Sequence, residues 1–417
     1  VTHFGPMRYL TDTNVAVMQA GAIWDGQSWI GYGQSLAEIG PGQPYTQPAP
    51  IWAGTQYYLF EGSGIGFGEL VLRVQRGTNV LAETSAWLDL RDVRDLYERS
   101  YITNNTSGAK SNWTSAVAMV EFPAVSWEDE SRDIIVYVHG FDNTHWTWIN
   151  KSDTTFKRLY WAGYHGRFAS IRWPCKRFGL DLMAYNDSEF NAYKAGSAMA
   201  VYLNQLRGRF PTHRLHILAH SQGAAITSEA LSQGAPYDTC ILSQGAMPAS
   251  SYDIDAPLHS GLVNAEAIYG PTPEWRLMGY RGIYTNLTGR IVNFYNTNDS
   301  VLAIWINNQG GWKPNLPSTP YTYDGTNGWY DVIFGKYMVT DPQESRAYVS
   351  RSRTESVGRT GPESPHGVIK SAIDLKARFG FDDSFPDGHS AQWAWPIQKT
   401  RPYFRQVLIS CQIQPAP

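Results

Sequence analysis

The segment Arg214-Leu215-His216-Ile217-Leu218-Ala219-His220-Ser221-Gln222-Gly223-Ala224-Ala225 sets a serine between an apolar, strand-like run and a helix-like one. A sharp strand-to-helix turn strains the backbone of the serine and projects its hydroxyl above the sheet. The positions two before and two after must then be small. Ala219 and Gly223 meet that requirement, and Ala224 and Ala225 let the helix pack closely. The Gln222 N–H would stand at the helix N-terminus, where a developing oxyanion is stabilised. The competing reading is structural: serine is a common helix N-cap.

The segment resembles the nucleophile elbow of α/β-hydrolase-fold serine hydrolases of the esterase and lipase type. It carries A-x-S-x-G in place of the fuller G-x-S-x-G. The resemblance covers residues 130–417. It implies an eight-stranded, mostly parallel sheet and a triad in the chain order serine, acid, histidine. It also implies that the His139-Gly140-Phe141 turn, ending the apolar run Asp133 to Val138, supplies a second oxyanion donor. That donor would be the Phe141 N–H, with Gly140 allowing close approach. His139 is expected to be a structural hydrogen-bonder.

For the acid, the run from Ile291 to Tyr295 is a short strand followed by Asn296-Thr297-Asn298-Asp299. Catalytic groups collect beyond the carboxyl ends of parallel strands. Asp299 occupies that place and resembles the acid loop of the fold; its other reading is an Asx-turn or N-cap aspartate. Asp255, Asp324 and Asp331 have no strand directly before them. For the base, His389 in Asp387-Gly388-His389-Ser390-Ala391-Gln392-Trp393 lies on a loop entering the final helix and resembles the histidine loop of bacterial members of the fold. His366, on a turn opening a helix, is the alternative. His213 and His216 read as structural, and His220 should point away from the serine.

Asp299 lies 78 residues after Ser221, and His389 a further 90. The second interval is long and predicts an insertion at about 302–385, rich in Trp, Tyr, Gly, Pro and Asn. Trp305 and Trp312 within it, with Trp146 after the oxyanion turn, are expected to wall a substrate cleft or lid. A packed aromatic surface loop is the alternative.

The elements that must position these groups alternate as strand and helix after about residue 130. Strands are expected at 133–138, 168–173, 215–219, 239–243 and 291–295, and helices at 154–163, 189–208 and 223–231. Buried apolar strands separated by helices imply a parallel sheet covered on both faces. Residues 1–105 read as a separate small all-β, sandwich-like domain. Leu70, Leu72 and Val74 alternate with Val71, Arg73 and Gln75, and Arg76-Gly77-Thr78-Asn79 supplies a turn. Further strands are expected at 15–24 and 51–60, a short helix at 91–98, a linker at 104–112, and the catalytic domain at 106–417.

The whole chain has 417 residues, a formal net charge of −3, 17% charged and 14% aromatic residues. A length of this order fits two domains. No basic stripe marks a nucleic-acid footprint, and no apolar run of 18 residues marks a membrane helix. Three cysteines give no disulfide framework and no zinc spacing. Val1 reads as a processed or trimmed start, without a signal-peptide pattern, and the low charge with abundant Asn, Trp and Tyr points to an exported, bacterial cell-surface or secreted protein. The expected activity is carboxylic-ester hydrolysis through an acyl-enzyme, without metal or organic cofactor, on a small or polymeric ester. An amidase or peptidase with the same triad, and a non-catalytic hydrolase-fold binding protein, are the competing readings.

Overall fold

The computed structural model describes residues 66–104, 115–121, 130–177, 184–253, 284, 286–308, 356–362, 367–382, 387–395 and 397–416, with short strand segments at 22–24, 29–31, 321–323, 329–331 and 336–337. The strands expected at 51–60 lie outside these residues, and of 15–24 only Ala22–Trp24 lies within them, paired antiparallel with Trp29–Gly31.

Near the N-terminus, β1 (Gly66–Arg76) and β2 (Asn79–Leu90) form an antiparallel ribbon, turned at Gly77 with φ 61°. The ribbon is exposed along nearly all of its length. The segment expected to be a helix at 91–98 contains only a single helical turn, Val93–Asp95, capped by the Asp92 carboxylate. From Glu98 the chain is β3 (Glu98–Asn104), which lies in the central sheet. The reason is Glu98 itself: its buried carboxylate takes two hydrogen bonds from Arg209 and one from Tyr202, fixing the chain against the body of the protein. The strand that follows, β4 (Ser115–Glu121), pairs antiparallel with β3. The expected linker therefore joins two strands of one sheet, and the central sheet begins before the expected boundary at 105.

The remaining strands are β5 (Asp133–Val138), β6 (Arg167–Arg172), β7 (Arg214–His220), β8 (Thr239–Ser243), β9 (Arg290–Tyr295) and β10 (Ile369–Asp374). The sheet order is β10-β9-β8-β7-β5-β6-β3-β4, parallel throughout except at the β3–β4 edge. Helices α1 (His145–Trp161), α2 (Ala184–Arg209) and α3 (Gly223–Ser232) connect β5 to β6, β6 to β7 and β7 to β8. After β9 come α4 (Ser300–Asn308) and, after β10, α5 (Leu375–Phe379), α6 (Asp387–Ala394) and α7 (Ile397–Ser410). The expected insertion at 302–385 is thus narrower: α4, β10 and α5 belong to the layered core. His366 lies outside the described residues, and the element just after it is the strand β10, not a helix.

Successive strand residues face opposite sides, so each continuous apolar run feeds two cores. Ile134, Val136 and Val138 pack with Leu203 and Leu206 of α2 and Ala224 and Ile226 of α3. Ile135 and Tyr137 pack with Phe156 and Leu159 of α1 and Tyr403, Phe404 and Val407 of α7. Full burial of each such side chain contributes about 1.5–3 kcal/mol. The three cysteines are free, with Cys240 and Cys411 buried.

Candidate active site

The chain runs from β5 to β6 on one side, then crosses by α2 to β7 on the other side of β5. Such a reversal opens a crevice beyond the carboxyl ends of the two diverging strands. Here those ends carry His139-Gly140-Phe141 after β5 and Ser221 after β7.

Ser221 has φ 54°, in the left-handed region that non-glycine residues rarely enter. The turn is held by Ser221 N–H donating to the Ser243 carbonyl at 3.1 Å, and by the Ser221 carbonyl accepting from Ala224 and Ala246. The two turns press against each other so closely that glycine is required in both. A Cβ on Gly140 would stand 2.6 Å from the Ser221 Cβ and 3.2 Å from its Oγ. A Cβ on Gly223 would meet the Val138 and His139 carbonyl oxygens at 2.6 Å each. The strain at Ser221 and this packing go beyond what an N-cap requires.

On the oxyanion side, the Asn143 amide donates to the Gly140 and Phe141 carbonyls, at 3.0 and 2.8 Å, and fixes the loop. Asp142 takes a left-handed φ of 57°. Gln222 turns its side chain away from the serine: its Oε1 accepts from Ser188 at 2.7 Å and its Nε2 donates to the Tyr185 carbonyl. Only its backbone is left to serve the crevice. His139 is structural, as expected. Its Nδ1 lies 2.8 Å from the Gly140 carbonyl, and its Nε2 accepts from the Trp173 N–H. Burial pushes the imidazole down to about 3, so it stays neutral.

Asp299 and His389, 90 residues apart, meet with Nδ1 2.6 Å from Oδ2. Asp299 is fully buried, and His389 and Ser221 are 8% and 7% exposed. The Asp299 Oδ1 accepts from the Leu302 N–H at 2.9 Å, capping α4, while Gln244 Nε2 donates to Oδ2 at 2.7 Å. Asp299 thus caps α4, one of the roles foreseen for it, while its other carboxylate oxygen meets His389. His389 lies in the first turn of α6, just before a kink at Ser390, rather than on a free loop. Helix α6 is bolted to α1: Trp393 Nε1 donates to Thr155 Oγ1, and buried Arg158 donates to the Gln392, Trp393 and Trp395 carbonyls.

His220, the neighbour of Ser221 in the chain, contacts His389. Its ring lies 4.8 Å from that of His389, and its Nε2 is 2.9 Å from the His389 carbonyl. Sequence reasoning missed that His220 reaches the loop of His389. Burial, with the neighbouring His389 and Lys151, drives His220 well below the ordinary imidazole range.

Of the expected cleft aromatics, Trp305 is 6% exposed on α4 and packs with Ala246, Leu302 and Tyr185 instead of standing in a lid. Tyr185 in turn meets the Phe141 ring edge-on at 5.1 Å. Phe141, Tyr185, Ala246 and Trp305 thus form one apolar wall, tied to the serine turn by the Ala246 N–H donating to the Ser221 carbonyl; Tyr185 and Ala246 carried no recognisable sequence signal. Trp146 is exposed on the first turn of α1, with its ring against His145. Trp312 lies outside the described residues. A depression of about 460 Å³ lined by Ser131, Asp133, Arg214 and Gln412 sits at the opposite, N-terminal end of the strands, and its charges are paired with each other. Among the described residues no cluster of His, Cys, Asp and Glu could hold a metal ion, and no helix is long and apolar enough to cross a membrane.

Residues 121–242, from β4 through β8, match the model of a family described as "Alpha/beta hydrolase of unknown function (DUF900)". The fold is that of an α/β hydrolase. No curated protein matches the sequence significantly. Solved structures similar to it include an acylaminoacyl peptidase from Pyrococcus horikoshii, at 15% identity over 60% of this chain and 42% of that one, with a TM-score of 0.29. An acetyl xylan esterase is 14% identical over 39% of this chain and 83% of its own, with a TM-score of 0.24. An esterase from Pyrococcus furiosus is 12% identical over 50% and 76%, with a TM-score of 0.25. This chain spans less than half the length of the first of these.

Proposed function

We propose that this α/β hydrolase is a serine esterase that cleaves carboxylic esters through an acyl-enzyme. Two observations support the reading: the 2.6 Å Asp299–His389 contact, and a serine held at φ 54° in the turn after β7. In this mechanism His389 removes the Ser221 hydroxyl proton as the oxygen attacks the ester carbonyl. Asp299 orients the imidazole and stabilises its cation. The Phe141 and Gln222 amides hold the oxyanion, each contributing about 3 kcal/mol to the barrier reduction. The imidazolium gives its proton to the leaving alcohol, the carbon–oxygen bond to it breaks, and water activated by the same base releases the acid. The apolar wall of Phe141, Tyr185, Ala246 and Trp305 favours an apolar acyl group.

The test is labelling with a fluorophosphonate, with peptide mapping of the adduct, followed by turnover of p-nitrophenyl esters of short to long acyl chains and of the matching anilides. The expected adduct is on Ser221, with esters cleaved faster than anilides. An unlabelled protein, inert to both substrate series, points to a binding protein on a hydrolase fold; faster anilide cleavage points to an amidase.

A further inference from the structure

The loop after β8 carries a residue that costs the fold stability and repays it only at the acid and base. Gln244 is fully buried and has φ 47°. A non-glycine residue in that conformation stores backbone strain. The surrounding chain leaves no alternative: Gln244 N–H donates to the Phe294 carbonyl at 2.7 Å, and Gly358 packs directly on the Gln244 backbone, where a Cβ would not fit. The side-chain oxygen Oε1 is buried without a hydrogen-bond partner, a further cost. Both bonds of the amide nitrogen go to the site. One reaches Asp299 Oδ2 at 2.7 Å, the oxygen that also receives His389; the other reaches the Gly388 carbonyl at 2.9 Å, the peptide that leads into His389. Both partners are acceptors, so the orientation of the amide is fixed.

We infer that Gln244 is a positioning residue for the acid–base pair: one amide ties the carboxylate to the backbone of the base and sets their separation. The inference rests on the proposed triad. Two further contacts complete the clamp. Asn296 Nδ2 donates to the same Gly388 carbonyl at 3.3 Å, and His220 Nε2 holds the next one, that of His389. Gln244 supplies the shorter of the two bonds to Gly388, and its one amide nitrogen touches both the Asp299 carboxylate and the base loop. Among the described residues, the titratable groups near the pair include His220, against the His389 ring, and Lys151, over the Trp393 ring. Neither hydrogen-bonds Gln244.

Two variants separate this role from simple packing. Gln244→Met keeps length and volume and removes both bonds. Gln244→Glu keeps the shape and sets a second carboxylate against Asp299. In Gln244→Met, kcat for a p-nitrophenyl ester falls on the order of 10- to 100-fold, the scale of hydrogen bonds to a charged group, while KM stays within about threefold. In Gln244→Glu the acid limb of kcat/KM moves to higher pH, because a second negative charge favours the imidazolium. A purely structural residue would lower the melting temperature and leave both readouts in place. Retention of kcat within about threefold in Gln244→Met, with an unmoved limb in Gln244→Glu, overturns the inference. A readout free of turnover keeps it distinct from the esterase proposal: the far-downfield proton resonance of the carboxylate-bound imidazole N–H, assigned by its loss in Asp299→Ala. If wild-type protein neither labels with fluorophosphonate nor turns over, the esterase reading fails. The clamp then stands or falls on whether Gln244→Met broadens or shifts that resonance.

Discussion

Replacing Asp299 with asparagine tests the acid with almost no change in volume. The carboxylate is surrounded by donors alone: His389 Nδ1 and Gln244 Nε2 at Oδ2, and the Leu302 N–H at Oδ1. An amide cannot satisfy them all. If its NH2 faces His389, the imidazole must present an unprotonated Nδ1 and carry its proton on Nε2, the nitrogen needed as base. If its NH2 faces Leu302, the tautomer survives, but the N-terminus of α4 loses its cap and the imidazolium has no counter-charge. Two unit charges about 4 Å apart interact by about 4 kcal/mol at an effective dielectric near 20. Loss of that term alone slows the step by about 10³-fold, and the wrong tautomer extends this to about 10⁴-fold. The assay is kcat for a p-nitrophenyl ester at neutral pH, with circular dichroism and thermal melting to establish that the variant is folded. A folded Asp299→Asn protein that keeps more than about one-thirtieth of the wild-type kcat refutes Asp299 as the acid.

Ser221→Ala should lower kcat by about 10⁶-fold, and Ser221→Gly should do the same while raising stability by about 1 kcal/mol through relief of the left-handed φ; calorimetry and turnover of both variants check this pair of effects. Gly140→Ala should abolish fluorophosphonate labelling in a protein that still melts cooperatively, since the added Cβ meets Ser221 at 2.6 Å; unchanged labelling kinetics would contradict the close approach. Burial pushes Lys151 from 10.5 down to about 8, with its ammonium 5.3 Å from the Trp393 ring centroid. The unfolded chain therefore holds more protons between pH 8 and 10.5, and the stability contribution of Lys151 rises with pH across that window. Lys151→Met should stabilise the fold at pH 7 by about 1–2 kcal/mol, after allowance for solvent access and the lost cation–π contact. The advantage should vanish above about pH 10.5 in denaturant titrations.

The sheet was legible in the sequence because its inner strands are uninterrupted apolar runs, as in Asp133–Val138 and Thr239–Ser243, and nothing but double-sided burial explains such runs. Its edges were not. The edge strand β10 reads Ile-Lys-Ser-Ala-Ile-Asp, half polar, and β3 reads Glu-Arg-Ser-Tyr-Ile-Thr-Asn; both owe their place to partners far along the chain, such as Arg209 and Tyr202 for Glu98. At the candidate site, Ser221 and Asp299 stand out because each follows a recognisable strand, and His389 because its loop resembles the histidine loop of the fold. Gln244, Asn296, Tyr185 and Arg158 could not, because a lone glutamine, asparagine, tyrosine or arginine acquires its role from a tertiary neighbour. Trp305 shows the converse: its position in an aromatic-rich stretch pointed to a lid, whereas helical packing on Leu302 and Ala246 buries it.

Three of the four non-glycine residues with left-handed φ among those described lie just beyond the carboxyl ends of adjacent strands: Asp142 after β5, Ser221 after β7 and Gln244 after β8. Each such conformation costs on the order of 1 kcal/mol or more. A sheet end can sustain that cost because parallel strands start every loop at nearly the same height, and the packed layers below leave the loops no room to relax. The glycines bear this out. Gly140 and Gly223 bring the β5 and β7 loops into contact, and Gly358 presses a distant segment onto Gln244. A side chain at any of the three would force apart the loops that it now lets touch. The same contacts that strain Ser221 and Gln244 thus fix where their side chains point. Geometry at the serine and at the acid–base pair is over-determined by backbone packing, and does not depend on the flexible side chains alone.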